Sequence, residues 1–213
     1  MQIEPLGIDG AFLIKPEIFP DHRGEFLEVF SEPAFREVVG HPLKVAQVNC
    51  SRSLRGTIRG IHAFGLPPGQ SRYITCPHGE ILDIVVDIRV GSPTFGEWEA
   101  VRLDDRSRHG LYLAEGHAHA FAPLTDEATV VYLVSSTYAP QKELLVDPYD
   151  PELALPWPQA PERLLSEKDS KAPSLREALR LGVLPDYAEC RARHEELCRE
   201  ADALSAVPAR RHG

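Results

Sequence analysis

From about Ile3 to Ser136 the chain runs as short apolar segments separated by clusters of Gly, Pro, Asp and Ser. That spacing predicts a β-sandwich or barrel. Alternation is clearest from Ile81 to Val90, where Leu82, Ile84, Val86 and Ile88 form one face and Asp83, Val85, Asp87 and Arg89 the other. A strand with this period of two is expected to turn the first face to the core and the second to a polar side. Thr129 to Ser135 reads as another apolar strand, and Leu111 to Leu113 as one that leads into the loop Ala114-Glu115-Gly116. Within this β body only Glu32 to Val39 has a helical pattern.

After Ala139-Pro140 the pattern changes. Asp147 to Pro161 is proline-rich and reads as an extended cover over the β body. Beyond Pro173, Ser174 to Leu179 is a helix with a serine cap, and Pro185 to Leu204 carries Tyr187, Cys190, His194, Leu197 and Cys198 at helical spacing. The expected organisation is one domain over 1–213, with a β body at about 3–140, then the cover and a short C-terminal helical appendage at about 141–205. The terminal stretch Pro208 to Gly213 is expected to fray.

A chain of 213 residues can bury about 70% of its unfolded surface, so its core needs no covalent staple. Its 23 basic and 32 acidic residues give a net charge of -9. This argues against nonspecific nucleic-acid binding, which needs a basic face. A small anionic ligand held by a few converging arginines stays open. No apolar run approaches the roughly 20 residues that span a bilayer, so no membrane partner is expected. Glu4, Asp9 and Glu17 sit where a leader peptide would be uncharged. Cys50, Cys76, Cys190 and Cys198 have neither the density of a disulfide scaffold nor a C-x-x-C spacing. A cytoplasmic protein with reduced thiols is the expectation.

Nine histidines invite a metal or acid/base reading. His41, His78 and His109 lie in turn-like contexts and His194 and His212 in the C-terminal region, where a solvated surface role is expected. His62 follows Arg59-Gly60-Ile61 in a strand-like run. His117 and His119 alternate after Gly116 and are expected to point to one side. Histidines on two such segments of a barrel suggest a cupin. Metal cupins usually place an H-x-H unit and a glutamate in the first motif and a further histidine in the second. Here the first motif offers only His62, followed by Ala63 and Phe64, so imidazole acid/base work is the stronger reading and no metal is assigned. Arg59 and His62 are three apart and would face opposite sides of a regular strand. A bulge at Gly60 would bring them together.

Several motifs occur in order: Asp21-His22-Arg23-Gly24-Glu25-Phe26-Leu27-Glu28, Gln47-Val48-Asn49-Cys50-Ser51-Arg52-Ser53, Arg59-Gly60-Ile61-His62, and Gly91-Ser92-Pro93-Thr94-Phe95-Gly96. Gly116 to Phe121, Tyr132 to Pro140, Asp150-Pro151 with Trp157-Pro158, and Ser166-Glu167-Lys168-Asp169 complete the set. From about residue 5 to residue 187 the chain resembles the dTDP-4-dehydrorhamnose 3,5-epimerases.

The resemblance implies a cupin jelly-roll barrel, a homodimer, and epimerisation beside the C4 ketone of a dTDP-4-keto-6-deoxy sugar without any cofactor. His62 would be the base, Asp169 the carboxylate that orients it, and Tyr132 the acid on the opposite face. Arg23 and Arg59 would meet the diphosphate, with Lys168 adding charge. Glu28, Gln47, Asn49 and Glu143 match positions that hydrogen-bond the nucleoside or sugar, Tyr138 one that stacks on thymine, and His119 one that contacts substrate. Without the motifs, Tyr132 and Tyr138 read as strand packing, and Asp83 and Asp87 as partners for arginines.

Two positions depart from the family pattern. Arg72 stands where a lysine is usual, and Ala118-His119-Ala120-Phe121 replaces Ala-His-Gly-Phe, with His117 as an additional imidazole. They leave open whether C3, C5 or both are inverted. The rival reading from another class is a metal-dependent cupin oxygenase or isomerase using His62, His117 and His119. A noncatalytic sugar-nucleotide binding module is disfavoured because binding alone needs neither His62 nor Tyr132.

Overall fold

The computed structural model describes residues 1–206. Strands β1 (Gln2–Pro5), β2 (Ala11–Lys15), β3 (Ile18–Asp21) and β4 (Gly24–Leu27) precede helix α1 (Glu32–Val39). The β body continues through β5 (Gln47–Leu54), β6 (Arg59–Phe64), β7 (Arg72–His78), β8 (Glu80–Val86), β9 (Trp98–Asp104), β10 (Gly110–Leu113), β11 (Ala118–Pro123) and β12 (Glu127–Val134). A short β13 (Glu143–Leu145) and helices α2 (Glu167–Ser170), α3 (Leu175–Arg180) and α4 (Tyr187–Ser205) follow.

The strands form two facing antiparallel sheets, ordered β1-β2-β10-β7-β12-β5 and β13-β6-β11-β8-β9, with β3 and β4 as a separate hairpin. This is the expected mainly β jelly-roll barrel. Its interior is filled by Ile74, Val85, Leu103, Leu111, Phe121 and Val130. Helix α1 has the predicted bounds. It packs Phe35 and Val39 against Tyr73 and Tyr112 on the outer face of the six-stranded sheet.

The alternating segment needs a correction. β8 ends at Val86, and both of its faces are buried. Ile84 and Val86, together with Ile88, face away from the barrel, under Leu153 and Leu155 of the cover and Leu175 and Ala178 of α3. The face read as polar turns inward, where Val85 joins the barrel core and Asp83 is fully buried. Alternation marks two faces but does not say which of them meets solvent, because a sheet covered on both sides has two cores. Asp87 is also fully buried, paired with Arg89 at 2.8 Å and accepting hydrogen bonds from Ser92 and Thr94.

His41 is likewise not solvated. It is 2% exposed, edge-on to Phe35 and next to His194, because α4 folds back over α1. The two C-terminal helices form as expected, capped by Ser174 and Asp186, and α4 buries Cys190, Leu197 and Ala201. The stretch from Pro208 to Gly213 lies outside the described residues. Among the described residues no helix is long and apolar enough to cross a membrane.

Candidate active site

Inward-facing residues of both sheets leave one end of the barrel open as a cavity of about 410 Å³. From the five-stranded sheet, β6 contributes Arg59 and His62, and β11 contributes His119. From the six-stranded sheet, β5 contributes Gln47 and Asn49, β7 contributes Arg72, and β12 contributes Tyr132. Tyr138, Glu143, Lys168 and Asp169 close the rim from the segments that follow the barrel.

The Arg59 and His62 side chains share this cavity because β6 is irregular. His119 stands opposite His62 and Phe121 opposite Arg59, so β6 holds one residue more than β11 over this stretch. Gly60 permits it, with φ at +132°, and a Cβ there would lie 2.3 Å from the Cβ of Ala120. Only glycine fits both the backbone and the contact.

His62 Nε2 lies 2.6 Å from Asp169 Oδ1. Asp169 is 3% exposed and sits on the one-turn helix α2, whose N-terminus is capped by Ser166 accepting from the Asp169 backbone N–H at 3.2 Å. Burial works against the Asp169 carboxylate, but the hydrogen bond from His62, the Ser166 contact and the charge of Lys168 outweigh it and hold its pKa below the ordinary value. With Nε2–H donated to an ionised carboxylate, the His62 Nδ1 lone pair remains available as a base.

Arg72 is 7% exposed. Its Nη1 donates to the His62 carbonyl at 2.9 Å and its Nε to Gln70 Oε1 at 3.3 Å, while Gln70 in turn donates to the Ser136 carbonyl. Burial pulls its pKa down, with Tyr132, Glu143 and Asp83 acting in the opposite direction. A guanidinium remains charged under these conditions. Elsewhere Arg59 Nε donates to Ser53, Lys168 donates to Glu143 at 2.6 Å, Gln47 Nε2 donates to Asn49, and the Tyr138 backbone N–H donates to Gln47.

Two predicted residues are not in this cavity. Arg23 is exposed on the hairpin and forks onto Asp21, and Glu28 is exposed just beyond β4. His117 is a further correction. It precedes β11 and is buried between the backbone carbonyls of Asp9 at 2.8 Å and Ala114 at 3.0 Å, away from His62 and His119. The alternation ends there because Gly116 turns the chain into the strand. Asp83 meets His119 and not an arginine. Sequence reasoning missed Gln70 and Ser166, which also line the cavity. The Ser166-x-x-Asp169 spacing is a capping signal, and Gln70 stands two residues before Arg72, in the loop that leads into β7.

The model of the dTDP-4-dehydrorhamnose 3,5-epimerase family matches residues 5–177. The chain belongs to this family. A dTDP-4-dehydrorhamnose 3,5-epimerase of Mycolicibacterium smegmatis is 49% identical over 93% of this chain and 98% of its own length. A dTDP-4-dehydrorhamnose 3-epimerase of Streptomyces niveus is 51% identical over 90% of this chain and 92% of its own. The crystal structure of ChmJ, a 3'-monoepimerase from Streptomyces bikiniensis in complex with dTDP-quinovose, superposes with a TM-score of 0.89 at 47% identity, over 92% of this chain and 99% of that one. Relatives of both kinds, 3,5-epimerases and 3-epimerases, thus stand at similar distance. The chain is an isomerase of this family, and the reading as a metal-dependent oxygenase is set aside. His117, which that reading needs as a ligand, is tied to two carbonyls instead.

Proposed function

We propose that this epimerase acts on a dTDP-4-keto-6-deoxyhexose, with Nδ1 of His62 removing the proton beside the ketone and Tyr132 returning one from the opposite face. The observation that carries the reading is the His62–Asp169 pair at 2.6 Å in a cavity whose facing sheet presents Tyr132. A ketone acidifies its neighbouring C–H bonds because the electrons left behind delocalise onto oxygen. Arg72, a buried cation on the cavity wall, stabilises that enolate. Asp169 holds the ring in one tautomer and steadies the imidazolium that forms. Because His62 and Tyr132 stand on opposite sheets, a planar enolate between them is reprotonated on the face it did not lose its proton from, and that is inversion.

Arg59 and Lys168 meet the diphosphate, Gln47, Asn49 and Glu143 hydrogen-bond the nucleoside or sugar, Tyr138 stacks on the base, and His119 contacts the sugar. Arg23 and Glu28 take part through a homodimer, each hairpin reaching the neighbouring copy. The exposed Phe19 and Phe26 on that hairpin, with ring centroids 6.4 Å apart, and the exposed Val48 and Leu54 on edge strand β5 support such an interface. Barrel, cover and the helix that follows work as one domain, since α2 carries Lys168 and Asp169. Four free thiols fit a reducing cytoplasm.

The test is proton NMR of dTDP-4-keto-6-deoxyglucose with the enzyme in deuterated water. Deuterium entering at C3, at C5 or at both supports the reading; retention of both protons overturns it.

A further inference from the structure

The cavity holds a second carboxylate–imidazole pair. His119, on β11 directly opposite His62, places Nδ1 3.2 Å from Oδ1 of Asp83. Asp83 belongs to β8, the other neighbour of β11, and is fully buried. With Nδ1–H donating to this carboxylate, the other ring nitrogen is left as an acceptor. Burial lowers the pKa of His119, and Asp83, although it acts in the opposite direction, does not restore it. The ring is therefore neutral at neutral pH, and Nε2, which has no protein partner among the described residues, is a lone-pair acceptor on a residue that lines the cavity.

We propose that Asp83 fixes this tautomer so that His119 Nε2 accepts a hydrogen bond from a sugar hydroxyl, making His119 the residue that selects sugars bearing a hydroxyl beside the reacting carbon. The proposal rests on the epimerase reading above. A ketone oxygen has no proton to donate, so it is not the partner of this nitrogen and is left to the guanidinium of Arg72. Ketone toward Arg72 and hydroxyl toward His119 then fix how the ring lies across the cavity. Asp83 acts here as a positioning residue, through His119. A pair that merely braced β8 against β11 would give no preference among sugars.

Deuterium exchange is measured on dTDP-4-keto-6-deoxyglucose and on its 2-deoxy and 3-deoxy analogues, with the wild type and Asp83→Asn. A buried acceptor left without its donor costs roughly ten- to hundredfold, so the wild type is expected to disfavour one of the two analogues by that factor. Asp83→Asn can donate to Nδ1 and reverse the tautomer, and is expected to lose the preference. Nitrogen-15 NMR of the wild type, which needs no variant to fold, should find Nδ1 protonated and Nε2 bare. Equal wild-type rates on all three sugars, an unchanged preference in Asp83→Asn, or a protonated Nε2 overturns the proposal. Absence of exchange on the fully hydroxylated sugar contradicts the epimerase reading itself, and is distinguishable from these outcomes because that sugar is the control.

Discussion

His62 and Asp169 are 107 residues apart in sequence, yet a 2.6 Å hydrogen bond joins them at the mouth of the barrel. His62 comes from a strand of the body and Asp169 from α2, beyond the cover, so the pair exists only when the segment after the cover has returned to the barrel. Ser166, by capping α2, fixes where that carboxylate lies.

His62→Ala is expected to lower deuterium exchange at every carbon by ~10²–10⁴ and to leave dTDP affinity near the wild-type value, since the groups assigned to the nucleotide are other side chains that the substitution leaves in place. Exchange by NMR and calorimetric titration with dTDP check the two halves. Near-normal exchange in the variant would show that the base is another group.

Arg72 is held back on the His62 carbonyl and on Gln70. A planar fork fixed in this way meets the enolate differently from a lysine ammonium. A displacement of the sugar by about 1 Å costs ~10²-fold, so exchange at C3 is expected to outrun exchange at C5, with Arg72→Lys narrowing the gap. Comparable wild-type rates at both carbons would make the arginine a neutral replacement.

Asp87 is buried beside Arg89. Burial raises its pKa, but the hydrogen bonds from Arg89, Ser92 and Thr94 and the Arg89 charge outweigh this and leave it far below the usual carboxylate range. A depressed pKa contributes stability that is present above the unfolded value, about 3.9, and is lost as pH falls through the folded value. The melting temperature should therefore fall in acid in the wild type and vary less in Asp87→Asn. At neutral pH that variant should lose about 3 kcal/mol, because Arg89 is left buried and unpaired. Calorimetric melting across pH checks both statements.

Phe26→Glu on the hairpin is expected to shift the protein toward monomer and to lower activity, because in the proposed dimer the hairpin would carry Arg23 and Glu28 to the neighbouring copy. Sedimentation velocity and the exchange assay read the two effects. An unaltered oligomer with full activity would remove the hairpin from the interface.

The barrel and helices α1, α3 and α4 were legible because they rest on local periodicity and caps: α1 runs from Glu32 to Val39 as the pattern predicts, and Ser174 caps α3. The bulge between Arg59 and His62 was legible from parity and a glycine. What depends on tertiary cover was not. The outward face of β8 became a second core because α3 and the cover lie on it, and His41 was buried by a helix more than a hundred residues later. His117 left the alternation because backbone carbonyls of Asp9 and Ala114 claim its ring. Arg23 and Glu28 belong to the motifs but lie outside the cavity of their own chain, a separation that a linear sequence does not display.

In the proposed mechanism two groups on opposite sheets handle the two proton transfers. Tyr132→Phe in deuterated water tests it most directly. With His62 and Asp169 intact the enolate still forms, but it is reprotonated only from the face it left. Deuterium should therefore enter the substrate while inverted product falls far below the wild-type amount. Parallel loss of exchange and inversion would contradict this division of roles, because it would place Tyr132 in forming the enolate and not in completing the inversion.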